Sequence, residues 1–490
     1  MGVHEGGFMP PFHGDSTSPN TTGSATWRQP GFGTQNGSSM PLTPMRRRAV
    51  LGQGLAASVA LLGGLTEPSK PKQELDVLVI GAGLAGLACA QRLIAAGQRV
   101  RVLEGRQRIG GRIWTEQRQG CAIDLGASWL HGSSNNPLRA LASRELGLRL
   151  LPTDEASRVI IGRDGMRWGK GRKDQAEAWL ADFVQQAEQR GNADAALSSL
   201  VPPRLTPDQH FLLLADVVHE LGAELNTVAA NAPLGDGQEL IGGDAMVPAG
   251  LNQLVSHLAQ GVDIRLGQVV REIHNTPQGV RVSTAAGDWV EARMLCCSVP
   301  LGVLKRGAIR FDPPLPAAKA EAIQRLGMGV LDKIVLMFPQ RFWDAATWIG
   351  NDGPNHGLWP EWVDLTALIG RPALMGFNAA TQAQRLARQP DRAIVASALG
   401  QLQRCHPQQP IPEPSDVLLT RWGEDPFAYG SYSYPAVGST PAMREQLARR
   451  WHGLVFAGEA VNTAFPATLQ GAYLSGLQAA QRLLPDYSWG

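Results

Sequence analysis

Cysteine is scarce in this chain: five in 490 residues, with no CxxC pair. Cys296 and Cys297 are adjacent inside an apolar run and Cys89 falls in a helical stretch, so buried free thiols fit better than a metal site or a disulfide framework. An excess of one charge is also missing. The formal net charge is +2, and basic residues are scattered apart from Arg46-Arg47-Arg48, which gives no electrostatic ground for nucleic acid or an anionic membrane as partner. No stable membrane span is expected either: the apolar run over residues 49–65 is short and contains glycines and Gln53. No repeat of fixed period is visible. What remains is an ordinary globular composition, 43% hydrophobic and 18% charged, in a chain long enough for two or three domains.

Residues 1–44 are rich in Gly, Ser, Thr, Pro and Asn and have little to bury, the signature of disorder. Met45-Arg46-Arg47-Arg48 then precedes the apolar run, which Thr66-Glu67-Pro68 bounds. Residues 1–71 therefore read as a leader carrying a twin-arginine-like export signal, which would place the protein in the periplasm. The alternative is an apolar tail helix in a cytoplasmic protein, and the lack of a clear A-x-A cleavage site favours it.

The chain is organised around Val77–Arg112. An apolar run, Val77–Ile80, has the length of a buried parallel strand. Gly81-Ala82-Gly83-Leu84-Ala85-Gly86 follows as GxGxxG, then a helical stretch, then a second strand ending in Glu104. Gly81 serves a tight turn, Gly83 the close approach of a pyrophosphate, and Gly86 the packing of helix on strand. The helix N-terminus offers free N–H groups to that pyrophosphate. Glu104 stands where an acidic residue accepts hydrogen bonds from the adenosine ribose. Gly110-Gly111-Arg112 extends the unit beyond the acidic residue. In this the stretch resembles glutathione-reductase-like FAD enzymes, which implies FAD rather than NAD.

Residues 136–235 turn helical and charged. Strand patterns return as VDIRL, QVVREI, GVRVST, DWVEAR and MLCCSV, and residues 311–414 alternate helices with strands such as KIVLMF and PALMGF. The fold class expected is α/β. A glutathione-reductase-like, FAD-binding Rossmann domain would comprise residues 72–135, 236–310 and 415–490, and an inserted α+β substrate domain residues 136–235 and 311–414.

Seven segments then match one family in register: IGAGLAG, LEGRQRIGGRIWT, DLGASWLHG, VPLGVLKRGAIRFDPPLP, GMGVLDKIVLMFPQRFW, WGEDPFAYGSYSYPAVG and FAGEAVNTAFPATLQGAYLSGLQAA. Over about 72–485 the chain resembles the flavin-dependent amine oxidases, in the branch of polyamine oxidases and lysine-specific histone demethylases. Strand alternation puts Lys333 on one face with Leu331, Val335 and Met337. By pattern alone it is a snorkelling surface lysine; the resemblance makes it the lysine that holds a water near flavin N5. The resemblance likewise implies that His131 orients the substrate amine or accepts its proton, and that Tyr432 walls the amine path. Thr468 stands where many amine oxidases carry a second tyrosine, so the aromatic cage is incomplete. Arg106, Arg112, Ser128, Trp129, Val270, Glu459, Thr468 and Leu469, with the Gly81–Gly86 loop and Glu104, are implied to line FAD. Where monoamine oxidases carry the cysteine that bonds flavin covalently this chain has Ser431, implying non-covalent FAD.

The implied reaction oxidises a small-molecule amine, a polyamine or a relative of one, with oxygen as acceptor and hydrogen peroxide as product. Glu220, Glu224 and Glu239 are candidates to hold distal ammonium groups, with solvated helix charges as the other reading. A pyridine-nucleotide reductase would need a second nucleotide fold, and Gly327-Met328-Gly329 lacks the third glycine. An L-amino-acid oxidase should carry an arginine for the carboxylate, absent from GASWLHG and GSYSYP. A demethylase-like scaffold would need a tower insertion or histone-reading module, and none is visible. Monoamine oxidation remains an alternative.

Overall fold

Alternation along Leu75–Ile80 decides the layering. Val77 and Val79 join one fully buried cluster, Leu78 and Ile80 another on the opposite face, as expected of a strand covered on both sides. In the computed structural model, which describes residues 75–132, 136–154, 156–232, 242–353 and 358–484, this strand lies inside an eight-stranded sheet. It pairs in parallel with Val100–Leu103 on one side and Trp289–Cys297 on the other. DWVEAR and MLCCSV, read separately from the sequence, form that one strand. Its first half pairs antiparallel with Gly279–Thr284, and its end pairs in parallel with Leu454–Phe456.

Helix Leu84–Ala95 packs on the first face of this sheet against helix Leu469–Leu483, and Asn252–Leu258 joins them. The two long helices approach closely because Gly476 faces the backbone: a Cβ there would lie 2.2 Å from the Ala85 carbonyl oxygen. Helices Ala317–Arg325 and Pro441–Ala448 cover the other face.

A second sheet of six strands runs in the order Asp416–Leu419, Leu331–Met337, Ala373–Ala379, Glu361–Asp364, Trp348–Asn351, Arg158–Ile161. Strand Arg158–Ile161 falls in a stretch read as helical, and Asp416–Leu419 joins this sheet although the sequence groups it with the flavin-binding segments. One face carries Val335, Met337, Met375 and Phe377. The other carries Ile334, Leu336, Leu374 and Trp362 beneath helix Asp391–Cys405. All described residues belong to one compact unit, residues 69–490. The leader, with Arg46–Arg48, lies outside the described residues, as does Glu239. Among the described residues no helix is long and apolar enough to cross a membrane.

Candidate active site

The glycine-rich loop has the geometry its sequence implied. Gly81 sits at φ +98°, and a Cβ on Gly86 would come within 2.0 Å of the Gly81 carbonyl oxygen, so helix and turn interlock there. At Gly83 a Cβ would meet only the Gly110 carbonyl oxygen, at 3.9 Å. That space lies at the open N-terminus of helix Leu84–Ala95, where no side chain caps the helix and the first turn has no acid. Its unpaired N–H groups and the room at Gly83 fit a pyrophosphate. Glu104 is buried, accepting from Ala82 N at 2.7 Å and from Arg106 N at 2.8 Å. Each carboxylate oxygen keeps acceptor capacity for a ribose hydroxyl. Gln268 N donates to the Glu104 carbonyl at 2.8 Å and Gly267 N to that of Arg106 at 2.9 Å, which brings the chain leading into Val270 alongside.

Arg106 grips Asp425 with two bonds of 2.8 Å and lies over the Phe427 ring. Arg112 donates to the Ser431 carbonyl at 2.9 Å and to Glu459 at 2.8 Å. The other oxygen of Glu459 accepts from the Ser433 hydroxyl at 2.6 Å and from Ala467 N at 3.1 Å. Burial pushes the Glu459 carboxyl up, but Arg112, Ser433 and Arg444 outweigh it and hold it below its ordinary value. Thr468, at the position where the second tyrosine is missing, has a structural task as well. Its hydroxyl caps helix Leu469–Leu483, accepting from Gly471 N at 3.0 Å, and Leu469 packs in the first core cluster.

Lys333 faces inward. It is 5% exposed, so the surface reading fails. Nζ donates to the Gly126 carbonyl at 2.5 Å and to the Ser128 hydroxyl at 2.6 Å, with the Trp129 and Phe377 rings 5.6 and 6.0 Å away. Burial lowers it to about 8, with Asp124 acting the other way. Asp124 itself is pushed up to about 6 by burial, although Thr115 and Leu251 N donate to it. The Gly126–Trp129 turn holds close to Arg112 because Gly126 has no side chain; a Cβ would lie 1.8 Å from the Arg112 carbonyl oxygen. One connected set of contacts thus joins Lys333, Ser128, Trp129, Arg112 and Glu459.

His131 follows in the same segment, its Nδ1 2.6 Å from Asp244 Oδ2. Tyr432 stands beyond Ser431, whose hydroxyl bonds both the N–H and the carbonyl of Leu331 at 2.8 and 2.9 Å. The Tyr432 hydroxyl donates to the His219 carbonyl at 2.7 Å, and burial, then Glu220, raises it well above its usual value.

Sequence reading missed a second charged group on the same face of the six-stranded sheet. Lys333 is in register with Phe377, and Phe377 with Glu361, so the three side chains point the same way. Arg158 bonds Glu361 at 2.9 Å and Asp216 at 2.9 Å. His219 Nδ1 lies 3.3 Å from Glu361, and neither ring nitrogen of this buried histidine makes a well-formed hydrogen bond. Burial pushes Asp216 up to about 6, Arg158 opposing and Glu361 reinforcing. Asp425 was within a recognised motif; Asp216, Asp244 and Glu361 carry no local signal and meet the site only through the fold. Of the sequence candidates for a distal ammonium, Glu224 accepts from Thr381 N at 3.1 Å. All five cysteines are free. A triad of Glu272, His274 and Asp312 has ligand-type atoms within 4.8 Å of one another. Both His274 nitrogens already face carboxylates, at 2.7 and 2.8 Å, and Arg310 pairs with Glu272, the pattern of an ion-pair cluster.

The chain is similar to known proteins over most of its length. The model of a family described as flavin containing amine oxidoreductase matches residues 84–213 and 165–484. Polyamine oxidase 2 of Arabidopsis thaliana is 34% identical over 83% of this chain and 87% of its own length. Polyamine oxidase 4 of Oryza sativa subsp. japonica is 33% identical over 85% and 91%. Lysine-specific histone demethylase 1 homolog 3 of Oryza sativa subsp. indica is 35% identical over 85% of this chain, which spans only 55% of that relative. Among solved structures, a putrescine oxidase with putrescine bound superposes with a TM-score of 0.69 at 20% identity, covering 83% of this chain and 98% of that one.

Proposed function

Because the chain belongs to the flavin-containing amine oxidoreductases, with FAD as its cofactor, we propose that it oxidises a polyamine or related secondary amine, with oxygen as electron acceptor. The observation that supports this substrate class is the row Lys333–Phe377–Glu361. Two strand spacings separate its ends, about 10 Å. At the far end two carboxylates, Glu361 and Asp216, face one guanidinium, Arg158. That leaves net negative charge for a second ammonium at a distance from the amine being oxidised. Arg158, held by both acids, is not placed to grip a substrate carboxylate, as an amino-acid oxidase requires.

The loop Gly81–Gly86, Glu104, Arg112 and Glu459 would hold FAD, and residues 75–132 with the eight-stranded sheet form the cofactor half in this reading. Bound FAD would supply the acceptor for a hydride from the amine's α-carbon and the route of the electrons to oxygen, with hydrogen peroxide as product. The chain's own residues orient and desolvate the amine beside Trp129 and Tyr432. Lys333 spends two N–H groups on Gly126 and Ser128 and keeps a third donor for a water, the nucleophile that hydrolyses the imine. His131 takes the proton that the substrate ammonium must lose. Twin-arginine export is part of the proposal; replacing Arg46, Arg47 and Arg48 by lysine should retain the protein in the cytoplasm on fractionation.

Stopped-flow flavin reduction with spermine, spermidine, an aromatic monoamine and an L-amino acid, alongside a peroxide assay, tests the substrate class. Fastest reduction by a polyamine is expected. Fastest reduction by the monoamine would overturn the polyamine reading and leave amine oxidation intact.

A further inference from the structure

His131 and Asp244 are brought together by a two-chain contact that neither sequence segment announces. Leu130 and Ala245 exchange both backbone hydrogen bonds, at 2.8 and 3.1 Å. In an antiparallel pair the residues one step outward, His131 and Asp244, then stand opposite each other. Their side chains meet at 2.6 Å between Nδ1 and Oδ2. The other carboxylate oxygen accepts from Gly132 N at 3.1 Å, and Thr153 N holds the Asp244 carbonyl at 2.9 Å. The carboxylate is thus fixed from two sides, 19% exposed against 36% for the imidazole. Burial pushes Asp244 up, but the hydrogen bond and charge of His131, with Gly132 N and Arg139, hold it below its ordinary value. Among the described residues Arg139 is the other charge against the pair; it bonds the carbonyls of Leu130 and Gly243 at 3.3 and 3.0 Å. Asn136 and Gln470, both neutral, join the His131 carbonyl to helix Leu469–Leu483.

We propose that Asp244 is a positioning residue for His131: it holds the imidazole with Nδ1 protonated and stabilises the imidazolium that forms when Nε2 takes a proton from the substrate's ammonium group. The inference rests on the reading that His131 faces the substrate amine. In the step, the ammonium N–H bond breaks and an Nε2–H bond forms. The freed lone pair stays on the substrate nitrogen, which makes the amine competent to lose hydride. The imidazolium gains its positive charge 2.6 Å from an ionised carboxylate, the arrangement that favours it.

Two readouts test this. In protein labelled with 15N-histidine, the His131 signal, assigned by its loss in His131→Gln, should show Nδ1 protonated in the wild type. Its titration midpoint should fall by a unit or more in Asp244→Asn and recover in Asp244→Glu. In anaerobic stopped flow with spermidine, the pH limb of flavin reduction should move by the same amount, and the rate at neutral pH should drop tenfold or more. A merely structural Asp244 would lower flavin content or stability without moving either midpoint. If His131→Gln is reduced as fast as wild type, His131 is not in the amine's path and the site reading fails. If His131→Gln is slow while Asp244→Asn keeps the wild-type midpoint and pH limb, the site reading stands and the pairing is overturned. A wild-type His131 protonated at Nε2 rather than Nδ1 would overturn it without any variant.

Discussion

The ammonium of Lys333 lies 2.6 Å from the hydroxyl of Ser128, so a strand of the second sheet is tied to the turn that leads from Arg112 to His131. The bond is buried. Burial holds Lys333 down at about 8 against an ordinary 10.5, Asp124 notwithstanding.

Lys333→Met should bind FAD yet lose much of its turnover, since the donor for a water is gone. Its stability should depend on pH in a defined direction. Between pH 8 and 10.5 the folded wild type binds fewer protons at this group than the unfolded chain, so this source makes it more stable as pH rises. Below pH 8 the full cost of the buried charge, about 3 kcal/mol, remains. The variant escapes that cost but leaves two acceptors unpaired, about 1–3 kcal/mol each. Relative to wild type it should therefore lose about 3 kcal/mol between pH 7 and pH 10 in urea unfolding. A difference that does not change with pH would show that Lys333 is not a depressed, buried lysine.

Gly83 and Gly86 are three residues apart and should fail in different ways. Gly86→Ala drives a Cβ into the Gly81 carbonyl, at 2.0 Å, and should destabilise the apoprotein itself. Gly83→Ala meets nothing closer than 3.9 Å, so the chain should fold normally while the methyl group fills the space read as the pyrophosphate's. Thermal melts of the apoproteins and flavin occupancy after dialysis separate the two. Normal flavin occupancy in Gly83→Ala would place the phosphates elsewhere.

These glycines were legible because a GxGxxG turn imposes local backbone demands that spacing records. The same holds for alternation at Lys333: Val335 and Met337 do share its face. The capping role of Thr468 was not legible, because nothing local distinguishes the residue that lines a site from one that caps the helix behind it. Glu361 was invisible for another reason. Its link to Lys333 passes through Phe377 on an intervening strand, a relation of sheet order that no single segment carries. Asp244 likewise reaches His131 through one bridge spanning more than a hundred residues.

FAD should be held without a covalent bond. Ser431 occupies the position of interest, and its hydroxyl is engaged on both sides by Leu331, at 2.8 and 2.9 Å. It offers no thiol to the flavin. Acid precipitation should leave the yellow colour in the supernatant; colour in the pellet, with a flavin-sized mass increment on the chain, would contradict this.

Glu361→Gln tests whether the far end of the row reads a second ammonium. The substitution keeps shape and a bond to Arg158 while removing one negative charge, so the balance of Glu361, Asp216 and Arg158 falls to neutral. A charge-assisted hydrogen bond contributes about 1.5–3 kcal/mol, which corresponds to roughly 10- to 100-fold in affinity. The apparent Kd for spermidine in anaerobic reduction should rise by that factor, and that for an aromatic monoamine should change less than twofold. Comparing the two substrates within one variant cancels any loss of folded protein. The pH dependence gives an independent check in the wild type. Asp216 is pushed up to about 6 by burial, so its charge, and with it the grip on a polyamine, should fade as pH drops through that value. Monoamine affinity should not follow the same curve. Equal losses for both substrates, in the variant and at acid pH, would mean that Glu361 and Asp216 serve only to hold Arg158 in the sheet.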